Sequence, residues 1–356
     1  MYNSQMRYKF FTNSERAWHV MFEAIQNAEE SVYLEMYIFT NNMVQYDFLM
    51  LLKEKAQKGL RIRIILDSLG SFDLSRGAIA ELRGSGAELL FLNNFIYHNH
   101  RKVLIVDEEV AFIGGVNMSQ EFRFWKDLVV KITGERIVRH IIRSFAEVYE
   151  GAGGKDPLIL SQNKHIVLDK TRTWLVEHFP RKKKYILKRL YKDNIRKAEE
   201  KIILVAPYFM PKHWLIRELH KAALRGVSVD VLVPRSTDVF IFDRVNYFYI
   251  SKLSKMGINF YIAPELNHAK VMIIDSKEGI VGSQNLDFLS FDLNNEIGVF
   301  LKDISAIKQL SEIVEDWKKE ASFFDLKTYK PKWFDYVLSP MISIFFRVLS
   351  KTLEFF

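Results

Sequence analysis

A chain of 356 residues, 49% hydrophobic and 26% charged, can bury two ordinary cores, and this composition excludes a disordered or collagen-like polymer. Having no Cys, it holds no disulfide and no thiolate metal site, which fits a reducing compartment such as the cytoplasm; no run reaches the roughly 18 uninterrupted apolar residues of a membrane span. The formal net charge of +8 favours a polyanionic partner, which nucleic acid and an anionic lipid surface satisfy equally.

Taken in chain order, the predicted elements repeat. Ser14 to Ala28 has the period of an opening helix. "SVYLEMYIF" (Ser31 to Phe39) is a β-rich run that predicts a buried strand. A helix over Phe48 to Lys58 ends at Gly59, where a C-cap gives way to the strand in "LRIRIILD". A further helix and strand follow in "AIAELRGSGAELLFL", then "HRKVLIVDEEVAFIGGVN" (His100 to Asn117) and a strand in "DLVVKI". "EGAGGKDP" (Glu150 to Pro157) is a turn-rich break.

The order then starts again. A helix within Lys182 to Glu200 precedes "KIILVAPYF" (Lys201 to Phe209), a helix over Trp214 to Arg225, Gly226, "VSVDVLVP", "YISKLSKMGINFYIA", "HAKVMIIDSKEGIVGSQN" (His268 to Asn285) and "EIGVFL". The prediction is an α/β fold of two α-β-α sandwich halves related by a pseudo-twofold axis, each with a mixed, mostly parallel sheet covered by helices on both faces. The boundaries read as a first half over 1–153, a connector over 154–181, a second half over 182–325 and a C-terminal segment over 326–356.

The two motifs share one internal spacing: H-x-K, four residues, Asp, six residues, then G-[G/S]-x-N. On a strand, His100 and Lys102 point to one face and Arg101 to the other, as do His268 and Lys270 around Ala269. A phosphodiester needs a nucleophile, an acid for the leaving oxygen, and cations or donors around its nonbridging oxygens. Two His, two Lys and two Asn (Asn117 and Asn285) supply these if the halves meet face to face. Imidazole suits both roles, since its ordinary pKa near 6.5 lets one ring stay neutral and attack while the other stays protonated and donates. Asp107 and Asp275, with Gly114, Gly115, Gly282 and Ser283, support the motifs, while Asp127 and Glu296 are placed to orient the His rings as a carboxylate does in a triad.

With these residues the chain resembles the phospholipase D superfamily, and within it the bacterial cardiolipin synthase branch. The resemblance runs from about Glu15 to about Trp317 and rests also on "EMYIF" (Glu35 to Phe39), "FWKDLVVKITG" (Phe124 to Gly134), "PYFMP" (Pro207 to Pro211), "GSQNLD" and "NNE". It implies a sandwich in each half, one active site at their interface, a phosphohistidine intermediate and no metal or other cofactor. It puts the nucleophile on His100, the acid on His268, and substrate contacts on Glu35, Tyr37 and Tyr208. The chain departs from related synthases at His98 and Leu289, where they usually carry Arg, and at Lys212, where "PYFxPD" usually has Asp; these changes bear on head-group preference. Such synthases usually begin with two membrane spans, and this chain resembles a shorter type without them.

"SPMISIFFRVLSKTLEFF" (Ser339 to Phe356) has an N-cap Ser, Pro at the first helical position, and a wide apolar face with Phe345, Phe346 and Leu349 beside a stripe carrying Arg347 and Lys351. It reads as a membrane-associating helix on an anionic phospholipid surface, with docking on protein as the alternative. The resulting expectation is a phosphatidyltransferase that makes cardiolipin from phosphatidylglycerol or a related donor, peripheral to the cytoplasmic face of the cell membrane. The alternative is a phosphodiesterase or nuclease of the same chemistry. No stacking groove for single-stranded nucleic acid stands out from ordinary core aromatics, and nothing sets an oligomeric state.

Because the doubled motif accounts for the chemistry without a metal, excess chelator should leave turnover of a phosphodiester intact. Complete loss, restored by one divalent ion, would mean that the motifs have been misread.

Overall fold

The computed structural model describes residues 6–94, 96–162, 173–327 and 341. The C-terminal amphipathic segment, with Phe345, Phe346, Arg347, Leu349 and Lys351, lies outside the described residues.

In chain order the first half holds β1 (Arg7–Asn13), α1 (Ser14–Gln26), β2 (Ser31–Met36), α2 (Phe48–Gln57), β3 (Arg61–Asp67), α3 (Arg76–Gly84), β4 (Glu88–Leu92), β5 (Val103–Val106), β6 (Val110–Gly114), β7 (Lys126–Thr133) and α4 (Glu135–Gly151). Next come α5 (Pro157–Leu160), β8 (Thr173–His178), α6 (Ile186–Lys197), β9 (Lys201–Val205), α7 (His213–Leu224), β10 (Ser228–Pro234), α8 (Phe240–Ser254) and β11 (Asn259–Ala263). The chain continues with β12 (Val271–Ile274), β13 (Glu278–Gly282), α9 (Phe288–Asp292), β14 (Glu296–Leu301), α10 (Ile304–Glu320) and β15 (Ser322–Phe323). The strands form a seven-stranded sheet, β1-β7-β6-β5-β2-β3-β4, and an eight-stranded sheet, β15-β11-β10-β9-β12-β13-β14-β8.

The described residues fall into two compact units, one within Met1–Glu177 with Val281–Ser283 and Asn295–Phe300, the other within His178–Ile280 with Gln284–Asn294 and the chain from Leu301 onward. The stretch 154–181, a connector by composition, contains α5 and the strand β8.

Local chemistry explains the element ends. Asn13, Asp47 and Ser75 cap α1, α2 and α3, accepting from Arg16 N, Met50 N and Ala78 N. Gly59 and Gly226, just past α2 and α7, have φ of +91° and +87°, the left-handed cap that Gly adopts without a Cβ penalty. In β2, alternation sends Val32, Leu34 and Met36 into a core shared with Trp18, Met21 and Ile25 of α1, each side chain contributing about 1.5–3 kcal/mol by burial. Tyr33 faces the other way and stacks on Phe145 of α4 with ring centroids 5.4 Å apart, so helices cover both faces of this sheet.

The expectation of mostly parallel strands needs correcting. In the seven-stranded sheet only β2/β3 and β3/β4 are parallel, while β1/β7, β6/β7, β5/β6 and β2/β5 are antiparallel. The cause lies in the motif itself: β5 and β6 are joined by a tight turn in which Asp107 and Glu108 have φ of 51° and 56°, as Asp275 and Ser276 do between β12 and β13 (52° and 51°). A connection this short can join only antiparallel neighbours.

These turns also give the motif aspartates their work. Asp107 accepts from Glu29 N, Glu30 N and Ser31 N at 3.0, 2.8 and 2.9 Å, pinning the hairpin to the start of β2. Asp275 repeats this on Glu199 N, Glu200 N and Lys201 N at 3.0, 2.9 and 2.9 Å before β9. Burial pushes the Asp275 carboxyl up, but the three N–H donors outweigh it and hold the group below its ordinary value of 3.8.

Since the folded pKa is depressed, the stability contributed by Asp275 is present above pH 3.8 and lost as pH falls through the lower folded value. Asp275→Ala should destabilise by about 2 kcal/mol at neutral pH, seen as a lower urea midpoint, and the gap to the parent should narrow in acid. A constant gap down to acid pH would show that these charge-assisted bonds contribute nothing.

Candidate active site

The first motif starts at His100, three residues before β5, and the His100 N–H donates to Asn295 O at 3.1 Å while Asn295 N donates to His98 O at 2.8 Å. This bridge sets the segment before β14 beside the motif. Glu296 is the first residue of β14, and its two carboxylate oxygens lie 3.1 and 3.2 Å from His100 Nδ1. Glu296 is wholly buried. Burial pushes its carboxyl up, yet the charge and hydrogen bond of His100, the charge of Lys102 and the Ser283 hydroxyl together bring it below the ordinary range. A carboxylate at Nδ1 fixes the ring proton on that nitrogen, so Nε2 is the atom whose protonation can change. Ser283 Oγ donates to Glu296 and accepts from Ile297 N at 3.1 Å, which fixes the carboxylate plane.

Alternation along the motif puts Lys102 beside His100. Its Nζ donates to His100 O at 2.7 Å and lies 5.0 Å from the centroid of the Tyr37 ring. That ring meets His100 edge-on with centroids 4.9 Å apart, and burial, then the charges of Asp67 and Glu296, push the Tyr37 hydroxyl to about 12. The hydroxyl therefore stays protonated at neutral pH. Asn117 is buried, its backbone carbonyl accepting from Trp18 Nε1 at 2.9 Å. Gly114 and Gly115 are required by close approach: a Cβ on Gly114 would meet Leu128 O and one on Gly115 the Asp127 carboxylate. Asp127 is buried and also accepts from its neighbour Leu128 N at 2.7 Å.

Four further residues form a cluster on the other side of the motif segment. Arg101 Nε lies 2.9 Å from Glu35 Oε1, Asn99 Nδ2 donates to the same oxygen at 2.9 Å, and Arg101 Nη2 donates to Ser144 Oγ of α4 at 2.9 Å. Glu35, expected to contact substrate, is completely buried in this cluster, so its carboxylate braces the motif instead. Sequence spacing signals that Arg101 points away from His100, and a buried Arg demands an acid; the partner comes from β2, which no local pattern names. His98 has Nδ1 3.5 Å from Asp67 Oδ1.

The second motif repeats the arrangement in its own unit. His268 and Lys270 are buried, Lys270 Nζ donating to His268 O, and the Tyr208 ring lies edge-on to His268 at 6.3 Å. Asn285 is buried and its N–H donates to Ser290 Oγ at 2.9 Å. Gly282 ends β13, immediately before Ser283. Tyr208 donates its O–H to Asp238, a pairing the motifs do not announce, and Lys212 is engaged by Asp292.

A family model described as "Cardiolipin synthase, PLD-like domain" matches residues 21–149 and 191–317. The chain belongs to the phospholipase D superfamily. Within it this is a cardiolipin synthase-like enzyme, similar to the cardiolipin synthase of Geobacillus sp. (strain WCH70), 32% identical over 91% of this chain and 68% of that one. The cardiolipin synthase of Geobacillus kaustophilus (strain HTA426) is 30% identical over 96% of this chain and 71% of its own. In fold, the chain is similar to the crystal structure of phosphatidylserine synthase from Haemophilus influenzae Rd KW20, with a TM-score of 0.74 at 13% identity, covering 97% of this chain and 94% of that one. Among the described residues, no helix is long and apolar enough to cross a membrane.

In this phospholipase D-type site, a carboxylate that holds a histidine tautomer matters to turnover more than to binding. Glu296→Gln should lower kcat on a soluble phosphodiester by about 10²–10⁴-fold with little change in KM, and Glu296→Asp should recover part of it. Equal losses in binding and turnover would mean that Glu296 only supports the fold.

Proposed function

We propose that the enzyme is a phosphatidyltransferase that makes cardiolipin from phosphatidylglycerol or a closely related donor and acceptor. The observation that carries the reading is the buried Glu296 carboxylate on Nδ1 of His100, which leaves Nε2 to attack.

In the first step His100 Nε2 attacks the donor phosphorus; a P–N bond forms, the P–O bond to the leaving glycerol breaks, and His268 supplies the proton that glycerol needs. In the second, a hydroxyl of the acceptor lipid gives its proton to His268 and attacks phosphorus, forming a P–O bond as the P–N bond breaks. Lys102, Lys270, Asn117 and Asn285 serve the nonbridging oxygens, where charge grows in each transition state. Tyr37 and Tyr208 flank the two histidines and shape the approach of substrate. The relatives' names and the chain's net charge of +8 support an anionic phospholipid as substrate and a peripheral position at the cytoplasmic face of the cell membrane.

Mass spectrometry of lipids made by the purified protein from phosphatidylglycerol should show cardiolipin with free glycerol. Phosphatidic acid alone would make water the acceptor and the protein a hydrolase; cleavage of oligonucleotides alone would overturn the lipid reading. Quenching in alkaline denaturant, which spares an acid-labile P–N bond, should leave substrate phosphorus on a peptide containing His100. With a p-nitrophenyl ester, whose leaving group needs no proton, His268→Ala should keep a first-turnover burst that His100→Ala lacks. The opposite pattern would exchange the two roles.

A further inference from the structure

We propose that the loops following β3 and β10 are the parts of each half that enter a phospholipid bilayer. The first carries Leu69 and Phe72, 56% and 72% exposed; the second carries Val239, Phe240 and Ile241, with Phe240 72% exposed. Single exposed apolar residues are ordinary on a protein surface, but clusters of large ones mark contact with something apolar. Here the cluster occurs twice, at the same place in the duplicated order of elements.

That place is next to the chemistry. β3 runs parallel to β2, and β10 parallel to β9, so each loop leaves the carboxyl end of a strand beside the segment that carries Tyr37 or Tyr208. In the first half, the Asp67 carboxylate accepts from Leu69 N and Gly70 N at 3.0 and 2.9 Å and from Asn99 N, next to His100, at 2.8 Å. A Cβ on Gly70 would come within 2.8 Å of the Tyr37 ring, so the loop lies against the ring that touches His100. In the second half, Tyr208 donates to Asp238 of the loop, and its ring packs edge-on against Phe242 at 5.4 Å and against His268 at 6.3 Å. Each apolar tip is therefore coupled by one tyrosine to one motif histidine.

The rims are charged. Arg76 follows Phe72, Arg235 precedes Val239, both exposed, and the Arg244 guanidinium lies 5.5 Å from the centroid of the Phe240 ring. An apolar tip ringed by charged side chains, with arginines among them to meet phosphates, matches the boundary between head groups and acyl chains. A bilayer is thus the occupant these loops fit. The proposal rests on the phospholipid reading above and adds how the substrate's own surface is met.

The absence of Cys from the chain makes a local test clean. Phe72→Cys, Phe240→Cys and, as a control, Leu224→Cys, which is 73% exposed at the end of α7, would each carry one environment-sensitive fluorophore on the full chain. With phosphatidylglycerol–phosphatidylcholine vesicles, the probes at 72 and 240 should shift to the blue and be quenched by brominated acyl chains, while the probe at 224 stays unchanged. Phe72→Asp with Phe240→Asp should weaken vesicle binding by at least about tenfold. An unchanged signal at 72 and 240, an equal shift at 224, or a shift that appears with protein concentration in the absence of vesicles would overturn the proposal, the last by showing a second copy on these loops. Binding is read without turnover, so insertion of both loops with no phosphatidyl transfer would leave this proposal standing and overturn the activity reading alone.

Discussion

The chemistry of the first half depends on one contact, the Glu296 carboxylate against Nδ1 of His100. Taking both groups out of water is costly, and the carboxylate is offset there by a second donor and a nearby charge as well as by His100. Ser283 donates to it, Lys102 adds charge nearby, and the backbone exchange between His98, His100 and Asn295 fixes how far apart the two segments can be. In the proposed mechanism the contact sets the tautomer, and the tautomer sets which nitrogen attacks. A water in place of Glu296 would leave either ring nitrogen free to carry the proton.

The motif strand must then keep His100 at that distance while carrying two cations in the residues that follow it. Alternation solves this by sending Lys102 toward the histidine and Arg101 toward α4. The cost is a buried guanidinium, met by Glu35, Asn99 and Ser144. Burial pushes the Glu35 carboxyl above its ordinary range even though Arg101 and Asn99 favour its charged form. So the two sides of the short segment leading into β5 hold two separate polar clusters, one around His100 and one around Arg101. The motif aspartates support a third place, the turn, by holding backbone donors rather than substrate.

How much of this is legible in the sequence varies with range along the chain. The doubled spacing, the helix caps and the glycines after α2 and α7 are local patterns, and local physics reproduces them. The direction of strands is less local, and the hairpin turns at Asp107–Glu108 and Asp275–Ser276 do not announce themselves, because neither has at these positions the Gly that usually marks one. β8 hides in a stretch whose composition reads as a connector. Glu35 carries no signal of its own, because a carboxylate in an apolar strand looks the same whether it faces a ligand or a buried arginine. Only the residues across the sheet distinguish these cases.

The duplicated order of elements also gives the carboxyl ends of the parallel strands two tasks. They carry Tyr37 and Tyr208 beside the histidines, and they start the loops that expose Phe72 and Phe240. A lipid substrate makes these tasks compatible, because the scissile phosphodiester lies within a few ångströms of the apolar layer that such side chains would enter. An enzyme for a soluble phosphodiester would gain nothing from apolar tips at that edge and would risk aggregation through them. On the proposed reading, the same edge, built twice, links the reactive nitrogen to the physical state of the lipid.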